Sequence, residues 1–300
     1  MRLDSKTITK SSQNMNNKPN VLTIAGSDPS GGAGVQADIK VFHSLGVNGL
    51  SAITCITSQV PGHVNSVFPI DKDHISMQID LLNEHYQISA IKLGLLNSVE
   101  SIEAILDSFN KFNKCPPIII DPIIKSSKGT NFLNPQALNL YKKELLPIAS
   151  LYTPNLYEGE TLLGDKTLAH EDMAKQLYQE FQSPVVLKGG HSNKEKAMDI
   201  YVDNQGVSII ESPMIRNLDP HGTGCFYSSS ICAFVALGYS IKEAISKSKF
   251  YITNAITKSA NIGGTASSLN YDLSEFNIDC LLYTSPSPRD RTRSRMPSSA

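Results

Sequence analysis

Between residues 19 and 270 the chain alternates continuous apolar runs with stretches whose apolar positions recur every three or four residues. The run Val21-Leu22-Thr23-Ile24-Ala25 carries no charge, which predicts a strand buried on both sides. The periodic stretch at 33–45 predicts a helix closed by Gly46 as its C-cap. The same patterns predict strands at 50–57, 90–93, 118–120, 151–153 and 184–188, and helices at 73–84, 98–112, 135–145, 155–163 and 170–181. Ser66-Val67-Phe68-Pro69-Ile70 predicts a short edge strand, where the missing N–H of proline does no harm. Residues 198–202 and 207–210 predict a hairpin around Asn204-Gln205-Gly206, and helices at 223–237 and 241–260 close the pattern. Strand–helix alternation with uncharged strands implies an α/β fold: a mostly parallel sheet covered on both faces, with its sites at the carboxyl ends of the strands.

Composition narrows the partners. A chain of 300 residues, 40% hydrophobic, can bury one large core, here assigned to residues 19–280. The formal net charge is -1, which points to neither nucleic acid nor an anionic membrane. Residues 1–18 and 281–300 each sum to +3, so the stretch between them sums to -7, and any anion must be held by local amides and a few placed cations. Residues 1–18 are rich in Ser, Thr, Lys and Asn and predict a disordered extension, an organelle-targeting peptide being the alternative. Residues 281–300 lack periodicity, are rich in Ser, Pro and Arg, and resemble translated vector sequence; the rival reading is a basic interaction tail. The cysteines Cys55, Cys115, Cys225, Cys232 and Cys280 form no C-x-x-C pair, which argues against a zinc site and for a reducing cytoplasm. No apolar run approaches the roughly 18 residues of a membrane span.

Chemistry concentrates in five loops, four of them following a strand and one preceding a helix. Gly26-Ser27-Asp28-Pro29-Ser30-Gly31-Gly32-Ala33-Gly34 puts glycines before a helix, where backbone can approach a ligand; a structural turn explains it as well. His221-Gly222-Thr223-Gly224-Cys225 opens a helix of small residues, and amides at Gly222, Thr223 and Gly224 would make an anion-binding nest for a transferring phosphoryl group. Cys225 falls in the first turn, a position that favours the thiolate, against the alternative of a structural cysteine. In Thr153-Pro154-Asn155-Leu156-Tyr157-Glu158, Asn155 and Glu158 read as a capping box or as holders of magnesium-bound water. Asp121, at a strand end, suits magnesium or phosphate-side work, and Lys188, before Gly189-Gly190-His191, can reach phosphate oxygens.

Taken together, the glycine loop continued through Val35-Gln36-Ala37-Asp38, Asp121-Pro122, the Asn155/Glu158 element, Lys188-Gly189-Gly190-His191 and His221-Gly222-Thr223-Gly224-Cys225 resemble the hydroxymethylpyrimidine/phosphomethylpyrimidine kinases of thiamine synthesis, in the ribokinase superfamily. The resemblance implies a three-layer α/β/α sandwich. It implies ATP and Mg2+, and successive phosphorylation of 4-amino-5-hydroxymethyl-2-methylpyrimidine and of its monophosphate. By the same resemblance Asp38 and Gln59 would hydrogen-bond the aminopyrimidine, Gly26 would lie against it, and Leu95 and Ile123 would pack on the ring. Cys225 would accept the hydroxyl proton beside an anion hole made by the amides from Gly222 to Gly224. Lys188, with the amides of Gly222 and Gly224, would contact nucleotide phosphates, and Asp121, Asn155 and Glu158 would organise magnesium. Val60-Pro61 after Gln59 and Phe226 after Cys225 depart from the family pattern, Phe226 with an expected effect on the phosphate contacts. A homodimer is expected. The rival readings are a pyridoxal or pyridoxine kinase of the same superfamily and a non-catalytic pyrimidine-binding homologue.

Overall fold

The computed structural model describes residues 18–125, 129, 131–189, 196–216, 218, 220–261 and 267–272. The expected extension before Lys18, the expected tail at 281–300, Gly190 and His191 lie outside the described residues.

In chain order the elements are β1 (Asn20–Ser27), α1 (Gly34–Ser44), β2 (Asn48–Val60), β3 (His63–Pro69), α2 (Lys72–His85), β4 (Ile88–Leu93), α3 (Val99–Phe109) and β5 (Ile118–Ile120). They continue with α4 (Pro135–Leu140, extended by a π turn), β6 (Leu151–Tyr152), α5 (Leu156–Leu163), α6 (His170–Phe181), β7 (Val185–Lys188), β8 (Lys196–Asp203), β9 (Gly206–Pro213), α7 (Thr223–Ala236) and α8 (Ile241–Thr257). The nine strands form one sheet in the order β3-β2-β1-β4-β5-β6-β7-β8-β9. The five pairs from β2 to β7 are parallel, while β3 joins antiparallel at one edge and β8 and β9 at the other.

Alternation of side chains across each strand makes two cores of one sheet. Leu22, Ile24, Ile91, Ile118, Ile120, Val185 and Leu187 face one layer, with Ile75 and Ile79 of α2, Ile102 and Ile105 of α3 and Leu177 of α6. Their neighbours Val21, Ala90, Ile119 and Val186 face the other, with Phe42 of α1, Phe226 and Phe234 of α7 and Ile245 of α8. This is the expected three-layer α/β/α sandwich. Gly46 ends α1 at φ 78°, the left-handed conformation expected of a C-cap. The predicted strand and helix positions agree with the structure to within three residues, and β2 runs on to Val60, where it pairs with β3 beyond the body of the sheet.

Candidate active site

The loops following β1, β4, β5, β6 and β7 converge with the start of α7 at one edge of the sheet, as carboxyl-end geometry requires. The first is shaped by a break in pairing. The β1–β2 register shifts between Ala25 and Ser27, leaving Gly26 out of the ladder and on a cavity wall. A Cβ at Gly26 would stand 2.8 Å from the Cys55 Sγ and 3.1 Å from Leu95 Cδ2, so glycine keeps that wall flat. Asp28 folds the rest of the loop. Its carboxylate accepts from the amides of Ser30 (2.9 Å) and Ala33 (2.8 Å), and His221 Nε2 lies 3.3 Å from it. Burial raises the Asp28 pKa, but hydrogen bonds from His221, Gln59 and Ser30 outweigh burial and hold it well below the usual carboxylate range. The first loop and the start of α7 are thereby tied together.

Helix α7 begins at Gly222 with φ 87° and no side-chain cap. Side chains do cap α5 (Asn155), α3 (Ser98) and α8 (Ser240). The first amides of α7 have no acceptor inside the helix and open onto the cavity, which is the geometry of an anion nest. A Cβ at Gly224 would come 3.5 Å from Lys188 Nζ and 3.6 Å from Asp121 Oδ2, so that peptide lies between a cation and a carboxylate.

Beneath the nest is a buried charge cluster. Lys188 Nζ donates to Asp121 Oδ1 at 3.0 Å, Thr153 Oγ1 to the same oxygen at 3.2 Å, and Ser228 Oγ to Asp121 Oδ2 at 3.2 Å. Burial alone would raise the Asp121 pKa; Lys188 and then Lys92 outweigh it and hold the group ionised. Asn155 and Glu158 form a reciprocal capping box, with Asn155 N donating to Glu158 Oε2 at 2.8 Å and Glu158 N to Asn155 Oδ1 at 2.9 Å. Burial pushes Glu158 up to about 7, Lys188 opposing and Asp121 adding to the shift. The element caps α5 as the capping reading expects, and Glu158 also presents a buried carboxylate to the cavity. Among the described residues no three His, Cys, Asp or Glu side chains form a metal cage. Asp121, Glu158 and Asn155 suit an ion that keeps most of its water, and a divalent cation would relieve the crowding of two carboxylates.

Three expectations meet a different geometry. Asp38, expected to contact a heterocycle, does not line the cavity. It is fully buried, paired with Lys92 at 2.9 Å, and accepts from Thr23 (2.6 Å) and from Ser229. Lys92 lies near the carboxyl end of β4 and is fully buried, and a buried ammonium needs a countercharge more than a neutral ring needs an acceptor. Cys225 lies in the first turn of α7 and lines the cavity, but its thiol is not drawn toward the thiolate. Burial pushes it up to about 11, Lys92 opposing while Asp38 and Asp121 add to the rise. Phe226, expected to disturb phosphate contacts, is fully buried in the core and does not line the cavity, its ring 4.5 Å from that of Tyr251.

Gly26, Gln59, Leu95, Ile123, Gly222, Thr223, Gly224 and Cys225 line one cavity of about 460 Å³, with Asp121, Asn155, Glu158 and Lys188. A second cavity of about 500 Å³ opens on the other side of the nest. It has an apolar flank of Met214, Ile215, Leu218, Ile252 and Ile256, and the Lys249–Asp199 ion pair (2.8 Å) also lines it. The two share Asn155, Lys188, Thr223 and Gly224, so a group bound at the start of α7 faces both. Sequence reasoning missed this second cavity, because its residues come from β9, α8 and the segment after β9 without a local motif. It also missed His63 and Val64 of the β2–β3 hairpin, and Lys125 and Phe132, all lining the first cavity. The one available signal was Lys92 interrupting an apolar strand.

Residues 28–270 match the sequence family described as Phosphomethylpyrimidine kinase. Over 240 residues the chain is 36% identical to the hydroxymethylpyrimidine/phosphomethylpyrimidine kinase of Rhizobium meliloti, covering 79% of this chain and 90% of that one. It is 37% identical over 245 residues to the pyridoxine kinase of Bacillus subtilis, again covering 79% and 90%. The solved structure of Staphylococcus aureus pyridoxal kinase in complex with AMP-PCP and pyridoxal superposes with a TM-score of 0.77 at 30% identity, covering 86% of this chain and 95% of that one.

Proposed function

This chain belongs to the phosphomethylpyrimidine kinase family, and from that premise we propose that it transfers the γ-phosphoryl group of ATP to 4-amino-5-hydroxymethyl-2-methylpyrimidine and then to the monophosphate so formed. The observation that carries this reading is the pair of cavities meeting at the uncapped start of α7. ATP occupies the second cavity, its base against the apolar flank. The heterocycle occupies the first, between Gly26, Leu95 and Ile123, with Gln59 within reach of its polar edge. The hydroxyl oxygen attacks the γ phosphorus, the bond from that phosphorus to the β,γ-bridging oxygen breaks, and ADP leaves with the electron pair. The amides of Thr223 and Gly224 stabilise charge on the transferring group, and Lys188 neutralises charge on the nucleotide side. Cys225 accepts the hydroxyl proton in its thiolate form, a step worth roughly 10²–10⁴-fold. Burial keeps most of the thiol protonated near neutrality, so this base acts through a minor ionised fraction that grows with pH. Mg2+ would be held through water by Asp121, Glu158 and Asn155, and would supply charge neutralisation at the phosphates. Asp38 acts through Lys92 as support for the floor of the site and not as a ligand.

The four described cysteines are free thiols, which supports a reducing, cytoplasmic setting. Among the described residues no helix is long and apolar enough to cross a membrane. Ile56, Val60 and Phe68 are exposed on the β2–β3 edge pair and support a homodimer through that edge, testable by sedimentation. The similarity to pyridoxine kinase supports a competing substrate, so the deciding assay follows ATP consumption with the pyrimidine alcohol, its monophosphate and pyridoxal in parallel. Larger kcat/KM for the pyrimidines is expected, and a preference for pyridoxal would overturn the assignment. Ligand binding without ATP turnover would indicate a non-catalytic homologue.

A further inference from the structure

The two proposed transfers ask different things of the same cavity. In the first, the nucleophile is a neutral alcohol that must lose a proton. In the second, a phosphate oxygen of the monophosphate attacks the γ phosphorus, the bond to the β,γ-bridging oxygen breaks, and ADP leaves with the electron pair. That nucleophile is already ionised, so no base is needed. What the second transfer needs is a place for an added dianion, and the cavity is poorly supplied with one. Asp28, Asp121 and Glu158 already line it.

Cations near the nest are mostly committed. Lys92 is buried against Asp38 at 2.9 Å, and Lys249 is paired with Asp199 at 2.8 Å. Of the two lysines lining the first cavity, Lys188 is held by Asp121 at 3.0 Å. The other is Lys125, and among the described residues no carboxylate pairs with it. Its ammonium rests over the Tyr157 ring, 5.1 Å from the centroid, and the residue is half-buried. Tyr157 itself lines the second cavity, so the Lys125 ammonium stands where the two spaces adjoin. An exposed aromatic face is a weak partner for an ammonium, and a phosphate dianion is a strong one.

We propose that Lys125 is a specificity-determining residue for the second transfer, receiving the phosphate of the monophosphate substrate at the mouth of the pyrimidine cavity. This rests on the reading that the enzyme carries out both transfers. Lys125 has no corresponding role toward the alcohol, which brings no charge.

The test compares wild type, Lys125→Met and Lys125→Arg, measuring kcat/KM for the pyrimidine alcohol and for its monophosphate, and the Kd of the monophosphate without nucleotide by calorimetry. Lys125→Met should lower the ratio of monophosphate to alcohol kcat/KM by about 10–100-fold, the value of a charge-assisted hydrogen bond. Lys125→Arg should restore most of it. A partly misfolded variant lowers both activities together and leaves the ratio alone. A ratio changed less than twofold by Lys125→Met, or an arginine variant no better than the methionine one, overturns the proposal. If wild-type enzyme does not turn over the monophosphate, the two-transfer reading fails by itself, and calorimetry decides Lys125: a Kd raised tenfold by Lys125→Met upholds the phosphate contact, and an unchanged Kd refutes it.

Discussion

Replacing Gly222 with alanine tests whether the anion nest depends on one left-handed residue. Gly222 has φ 87°, and a Cβ built there falls onto the carbonyl oxygen of Gly32 and 2.8 Å from its carbonyl carbon. The obstruction is backbone, so no side chain can swing aside. The left-handed conformation costs alanine about 1–2 kcal/mol. Overlap with the Gly32 peptide adds about 1–3 kcal/mol of overpacking, relieved only by parting the first loop from the start of α7. Gly238, with φ 93° and nothing within 4 Å of an added Cβ, carries the conformational penalty without the overlap. Urea unfolding should therefore place Gly238→Ala about 1–2 kcal/mol below wild type and Gly222→Ala lower still. Because the overlap shifts the amides by roughly 1 Å, kcat of Gly222→Ala should fall about 10²-fold, with kcat of Gly238→Ala near wild type. Equal stabilities for the two variants, or a Gly222→Ala enzyme within threefold of wild-type kcat, would show that the nest does not rely on this contact.

Asp38→Asn should strand the Lys92 ammonium in the core and lower stability by about 3–5 kcal/mol in urea unfolding; unchanged stability with a raised KM for the pyrimidine would put Asp38 back on the substrate. Cys225→Ala should slow the alcohol reaction by about 10²–10⁴-fold and the monophosphate reaction much less, since only the first nucleophile carries a proton. A thiol pushed up to about 11 is protonated at neutral pH, so wild-type turnover of the alcohol should climb as pH rises from 7 toward 10, and the alanine variant should lose that climb. Matching pH profiles for the two enzymes would remove Cys225 from proton transfer. Glu158→Gln should raise the Mg2+ concentration needed for half-maximal activity about tenfold, while retaining the α5 cap through Asn155; an unchanged Mg2+ requirement would leave Glu158 as a structural cap alone.

Legibility in the sequence followed the range of the interaction. Strands β1, β4, β5 and β7 and helices α1, α3 and α6 were readable because burial on one or both sides imposes a local pattern on consecutive residues. The same holds for the nest, for the capping box of Asn155 and Glu158, and for the placement of Asp121 and Lys188 at strand ends, since each is a short motif tied to one element boundary. Tertiary structure decided the rest. Asp38 and Lys92 are 54 residues apart, and only the packing of α1 onto the sheet brings them together as a buried ion pair. The state of the Cys225 thiol likewise could not be read from its place in a helix's first turn. Burial and the carboxylates of Asp38 and Asp121, brought in from α1 and the end of β5, outweigh Lys92 and a hydrogen bond from the Gly34 backbone. The second cavity draws its walls from β9, α8 and the segment before α7, and no periodicity records it. Local patterns are written by which residues must avoid water; charge states and cavities are set by what distant segments bring together, and those distances exist only in the folded chain.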